Sequence, residues 1–243
     1  MRSQKLKSYN NLSPLAASST SEDDIYFDSK TTVALVGGQS ALVVLAVLLG
    51  MALGVPNKGL GPNIVFNLEA LKAGFLYTLP LVGLAGALDF IEDKVPALQD
   101  VTKATQRSVL SLLGGTWKPV LGLFTASVLG LAAGFGEEML FRGILQYELV
   151  SRVGASPALA IGASSILFGA LHAVTPMYAA LATLASIYFG YLYTHAGNLA
   201  VPILCHALYD VGALLYAHWT VSRMKGTEQE AIAKWGGPKA GPL

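Results

Sequence analysis

Seven residues in the second half of the chain have types and spacings that could do chemistry. Glu137, Glu138 and Arg142 lie in the apolar stretch AAGFGEEMLFRGIL, Phe168 and His172 lie in FGALH, and His206 and Asp210 lie in CHALYD. Ionisable groups in hydrocarbon are expensive, so a functional site is the default reading of such residues. Glu138 precedes Arg142 by four residues, the spacing at which a carboxylate N-terminal to a cation pairs best on a helix. Glu137 is rotated about 100° from Glu138, at 3.6 residues per turn. The spacing therefore gives Arg142 to Glu138 and leaves Glu137 for another task; the competing reading is that both acids share one guanidinium. His172 follows Phe168 by one helical turn and competes with an ordinary interface or core histidine. His206 and Asp210, again four apart, can point into one cavity or simply satisfy one another. Acids and imidazoles, with little else ionisable, occur in three apolar stretches at once, which favours convergence on a site.

The elements that must position these residues are membrane helices. Of the 243 residues, 53% are hydrophobic and only 13% charged, with a mean hydropathy of +0.53, whereas soluble domains carry roughly 25% charged residues. A span needs about 20 mostly apolar residues, and six stretches qualify: 32–55, 68–91, 119–150, 156–174, 177–195 and 199–219. The third is too long for one upright span and is expected to tilt or to project from the bilayer. The expected fold is an all-α, polytopic transmembrane helix bundle of about six spans around a polar intramembrane cavity. Lys and Arg set its orientation. With the N-terminus inside, the inner segments hold twelve of them and the outer segments only Lys58 and Arg152. Both termini are therefore placed on the basic, cytoplasmic or stromal side. His172 falls near the inner end of its span while Glu137 and His206 lie nearer mid-depth, so the cavity is expected to open to the basic side.

Outside the spans the chain gives less. Residues 1–31 are polar and lack the apolar core of a secretory signal peptide; their acid-free first part is transit-like, which admits a plastid membrane, and an unstructured tail explains them equally. Residues 220–243 read as a second unstructured tail, with residues 32–219 as the membrane-embedded domain. The connector Glu92–Trp117 carries Leu98, Val101, Val109 and Leu112 near helical spacing, as in an amphipathic interfacial helix or a solvated helical connector. A net charge of +1 without a basic face gives no argument for nucleic acid. The single Cys205 excludes an intramolecular disulfide and reads as a packing residue. His195 and His218 lie where polar groups reach the membrane interface and are set aside.

The ordered combination Glu-Glu-x-x-x-Arg, Phe-x-x-x-His and His-x-x-x-Asn/Asp resembles the CPBP family of intramembrane proteases, which includes type II CAAX prenyl endopeptidases and bacteriocin-processing proteins. Here it is carried by Glu137, Glu138 and Arg142, by Phe168 and His172, and by His206 and Asp210, all within residues 132–212. The resemblance implies a membrane enzyme that cuts a peptide or protein substrate, one option being a prenylated one, with an activated water. It implies that Glu137 and His172 position and deprotonate the water. Glu138 and Arg142 would hold the helix and set the local charge, and His206 with residue 210 would stabilise the oxyanion. Asp210 departs from the Asn variant, because an ionised Asp cannot donate a hydrogen bond. Asp210 then carries a proton, orients His206 as the donor, or helps to bind a cation. Glu137, His172, His206 and Asp210 are an acceptable zinc set, and the family is described both as metalloproteases and as metal-free glutamate enzymes. Two other classes use the same residues differently. A channel or proton-coupled transporter would employ Glu137, His172 and His206 as a relay, and a non-cutting scaffold would keep Glu138 and Arg142 without needing Glu137.

Overall fold

The computed structural model describes residue 26 and residues 28–238. The tail expected over residues 1–31 lies almost wholly outside them. Among the described residues the chain is helical and has no strand. In order come α1 (Ser29–Leu53), α2 (Leu68–Ile91), α3 (Pro96–Leu113), α4 (Pro119–Glu138), a π-helical segment (Met139–Gln146), α5 (Tyr147–Ser151), α6 (Pro157–Leu171), α7 (Pro176–Ala196), α8 (Ala200–Ser222) and α9 (Gly226–Ala233). Helix starts follow local chemistry: Asp28, Asn67, Ser156 and Thr175 each turn a side-chain oxygen onto an amide of the first turn that has no partner in the helix.

Four helical runs among the described residues are long and apolar enough to cross a membrane: residues 30–53, 68–94, 119–151 and 200–222. Helix α6, at 15 residues, falls short of a simple span, and the tyrosine-rich α7 is less apolar. The expected stretches at 156–174 and 177–195 correspond to α6 and to the 21-residue α7, which pack against each other. The long third stretch is one continuous 33-residue run, interrupted by the π-helical segment immediately after the glutamate pair. Such wide turns are rare and concentrate at functional sites. Large apolar side chains point outward along the runs, including Phe75, Leu79, Val120 and Phe124, as lipid-facing surfaces require.

Helices α4 and α8 form the centre. A Cβ on Gly130 would lie 2.9 Å from the Ala207 carbonyl oxygen, and one on Gly134 would lie 2.8 Å from that of Ile203. Two glycines four apart thus let α4 lie directly on the α8 backbone, the small-residue packing that membrane helices use. That contact brings Glu138 to His206. The connector before α4 forms α3, which turns its apolar side onto the bundle and leaves Arg107 and Ser108 exposed. Val109, Leu112 and Leu113 of α3 pack with Leu129 of α4 and Ala217 of α8 in one buried cluster. The C-terminal segment is also more ordered than its composition implied. Helix α9 inserts Gln229, whose Nε2 donates to the carbonyls of Gly115 at 2.9 Å and Val221 at 3.0 Å.

Candidate active site

Arg142 leaves the π-helical segment pointing inward and is fully buried. One guanidinium nitrogen donates to Glu138 Oε1 at 3.0 Å, and another donates to the Ser186 carbonyl at 2.5 Å and to Ser186 Oγ at 2.7 Å. Ser186 in turn donates to Ser165 Oγ at 3.0 Å. A buried guanidinium needs such partners because its desolvation is otherwise uncompensated. Its carbon also lies 5.4 Å from the Phe168 ring centroid and 5.5 Å from that of Phe189, within cation–π range of both. Phe168 stacks on His172 with centroids 4.2 Å apart, and Phe189 stacks on His206 at 4.7 Å. One cation therefore sits between two aromatic rings, each backing one histidine.

Glu138 is more than the partner of Arg142. Its Oε1 also meets His206 Nδ1 at 2.8 Å. A carboxylate paired with arginine can only accept, so His206 carries its proton on Nδ1 and turns Nε2 to the cavity. The spacing argument, which gave Glu138 to Arg142 alone, missed this contact because it crosses from α4 to α8. The orienting carboxylate on the Nδ1 side of His206 is thus Glu138; Asp210 Oδ2 lies 3.5 Å from Nε2 instead. His172 shows the same arrangement, with Nδ1 2.8 Å from the Phe168 carbonyl oxygen. That oxygen too can only accept, so Nε2 of His172 is also the nitrogen left free.

Both free nitrogens face one oxygen. Glu137 Oε2 lies 3.7 Å from His172 Nε2 and 3.9 Å from His206 Nε2, beyond direct hydrogen bonding and close enough for one water to touch more than one of them. The other oxygen, Oε1, accepts from Gln39 Nε2 at 3.1 Å. Glu137, His172, His206, Asp210, Gln39 and Tyr178 share a cavity of about 430 Å³ whose remaining wall is mainly apolar. All seven sequence-selected residues thus meet in one region, including His172, whose apparent difference in depth disappears in the fold. Three carboxylates face one guanidinium, so near-neutrality of this enclosed site requires about two further protons among the histidines and acids. No group of three His, Cys, Asp or Glu side chains among the described residues is arranged to hold a metal ion. The candidate zinc set of Glu137, His172, His206 and Asp210 is not among such groups.

Two residues of this region were not legible in the motifs. Phe189 lies on α7, a helix without any ionisable pattern, and Gln39 lies 98 residues from its partner. No spacing rule connects either to the site. Of the residues set aside, Cys205 is fully buried. His218 is fully buried as well: its Nε2 accepts from the Lys118 amide at 3.0 Å beside the start of α4.

No curated protein and no solved structure matches the chain. Residues 119–212 match the sequence model of the family described as type II CAAX prenyl endopeptidase Rce1-like, a segment that begins at α4 and ends two residues after Asp210. Taken with the apolar helices, the match describes an integral membrane protein whose residues 119–212, under half of the chain, are similar to the Rce1-like type II CAAX prenyl endopeptidase family, consistent with the CPBP resemblance of its motifs.

Proposed function

We propose that the chain is an intramembrane endopeptidase that hydrolyses a peptide bond with a water held between Glu137 and His172. The observation that carries this reading is the convergence on Glu137 Oε2 of two Nε2 atoms, at 3.7 and 3.9 Å, from histidines whose Nδ1 atoms are already committed. Water in that gap lies within reach of a carboxylate base, the first requirement of general-base catalysis. Glu137 takes a proton from the water as its oxygen bonds to the scissile carbonyl carbon. The carbonyl π electrons move to oxygen, and His206 donates to that oxyanion from Nε2, which in this step must carry its second proton. The C–N bond then breaks as the proton held by Glu137 passes to the leaving nitrogen. Glu138 keeps His206 in register throughout, as the residue behind a catalytic histidine does in other hydrolases.

The substrate class is a peptide reaching the cavity from the basic side, and a prenylated C-terminal peptide is the first to assay because of the family match. Metal chelation is expected to leave the rate unchanged, since no step needs a metal. The test is cleavage by purified, lipid-reconstituted protein across prenylated and unprenylated peptides. Glu137→Ala and His172→Ala should each lower kcat by about 10² to 10⁴-fold, the range for loss of an acid–base group. Equal cleavage by all three proteins refutes the assignment.

A further inference from the structure

The family match starts at residue 119, yet one group contacting Glu137 comes from α1. Between Thr32 and Leu53 the only polar side chains of that helix are Gln39 and Ser40. Gln39 donates from Nε2 to Glu137 Oε1 at 3.1 Å and lines the same cavity. The approach is built into the packing: a Cβ on Gly136, the residue before Glu137, would lie 3.1 Å from both Leu42 Cβ and Val43 N of α1. An amide beside an ionised carboxylate must present its nitrogen, which fixes the orientation of the group.

Packing alone does not explain an amide here. Gln39 Oε1 is buried with no hydrogen-bond partner among the described residues, a cost that an apolar side chain of the same size would avoid. What the amide supplies is one N–H bond to Glu137, and that bond decides which oxygen is left for chemistry. With Oε1 held, Oε2 is the oxygen between His172 and His206. Without the donor the carboxylate is free to turn about its terminal bond, and neither oxygen is fixed toward the histidines. We propose that Gln39 is a positioning residue that locks the Glu137 carboxylate with Oε2 as the reactive oxygen. Its kinetic consequence rests on the peptidase reading above.

The test uses the full-length protein reconstituted in lipid, with Gln39→Met and Gln39→Leu, two apolar substitutions of similar size that remove the hydrogen-bond donor. Both should lower kcat by about tenfold, the order expected for one hydrogen bond to a charged group. KM should stay within about twofold, because a group that acts on the base and not on the substrate does not alter ground-state binding. The thermal unfolding midpoint should be retained. Infrared difference spectra give a readout independent of cleavage: the carboxylate stretch removed by Glu137→Gln should shift in Gln39→Met. An unmoved band overturns the contact. An unchanged kcat, or parallel losses in kcat, KM and thermal midpoint, overturns the positioning role. A shifted band in a protein whose wild type cuts no peptide supports the contact and refutes the peptidase reading instead.

Discussion

The chemistry of individual residues divides two adjacent acids by the partners they meet. Glu138 is completely buried and holds both Arg142 and His206 through one oxygen, whereas Glu137 keeps one oxygen toward the cavity. Asp210 is the residue whose contribution is least like a simple motif position. Its Oδ2 lies 3.5 Å from His206 Nε2, and in the proposed mechanism it accepts from that nitrogen until the oxyanion replaces it. An amide oxygen can accept in the same way. Asp210→Asn should therefore retain kcat within about threefold, while Asp210→Ala should lose about 10²-fold, the size of a missing oxyanion group. Single-turnover rates at saturating peptide read both. If Asn proves as damaging as Ala, the charge itself is what the site requires.

Helices explain why the motifs meet, and sequence spacing could not. Periodicity located the apolar stretches and placed each pair on one helical face, because those are properties of a single helix. It could not show that Glu138 serves His206 or that Phe189 backs the same ring, because those contacts cross between elements. Of the six expected stretches, those at α6 and α7 differ from the others by length and composition, one having 15 residues and the other several tyrosines. Close approach of α4 and α8 is the property most exposed to mutation. Gly134→Ala sets a methyl group against the Ile203 carbonyl, an atom of a helix backbone that cannot step aside. Overpacking of this kind costs about 1–3 kcal/mol, and here it should also separate Glu138 from His206 and reduce activity. Gly162→Ala on α6, where an added Cβ meets nothing within 4 Å, is the control and should match wild type in thermal unfolding and cleavage. Phe189→Leu probes the other contact of His206. Losing the stacked ring and the cation–π partner of Arg142 should remove about 1–2 kcal/mol, seen as about tenfold slower cleavage.

Across the whole molecule, the positions of the amphipathic α3 and of α9 determine how the cavity can be reached. Composition marked residues 220–243 as a tail because their polar, Gly- and Pro-rich end has little to bury, but it could not show that Gln229 reaches the backbone carbonyls of Gly115 and Val221. Residues Thr105 and Ser108 of α3 line the cavity that holds Glu137, and Ser108 also lines a second cavity of about 400 Å³ with Asp28, Arg107 and Trp235. The two cavities share Ala104, Ser108 and Val174, which makes the α3 face the natural approach from water to Glu137. The distribution of Lys and Arg among the loops leads to the expectation that this face lies on the same side as both termini. Ser108 is exposed, so a thiol there reports access directly once the single native cysteine, buried Cys205, is replaced by Ser. In sealed vesicles, Ser108→Cys in that background should react with a membrane-impermeant maleimide only from the side on which a C-terminal epitope is also accessible. A peptide that occupies the catalytic cavity should slow the reaction. Labelling confined to the opposite side would reverse the orientation, and labelling unaffected by a peptide that is being cut would show that substrate enters by another route.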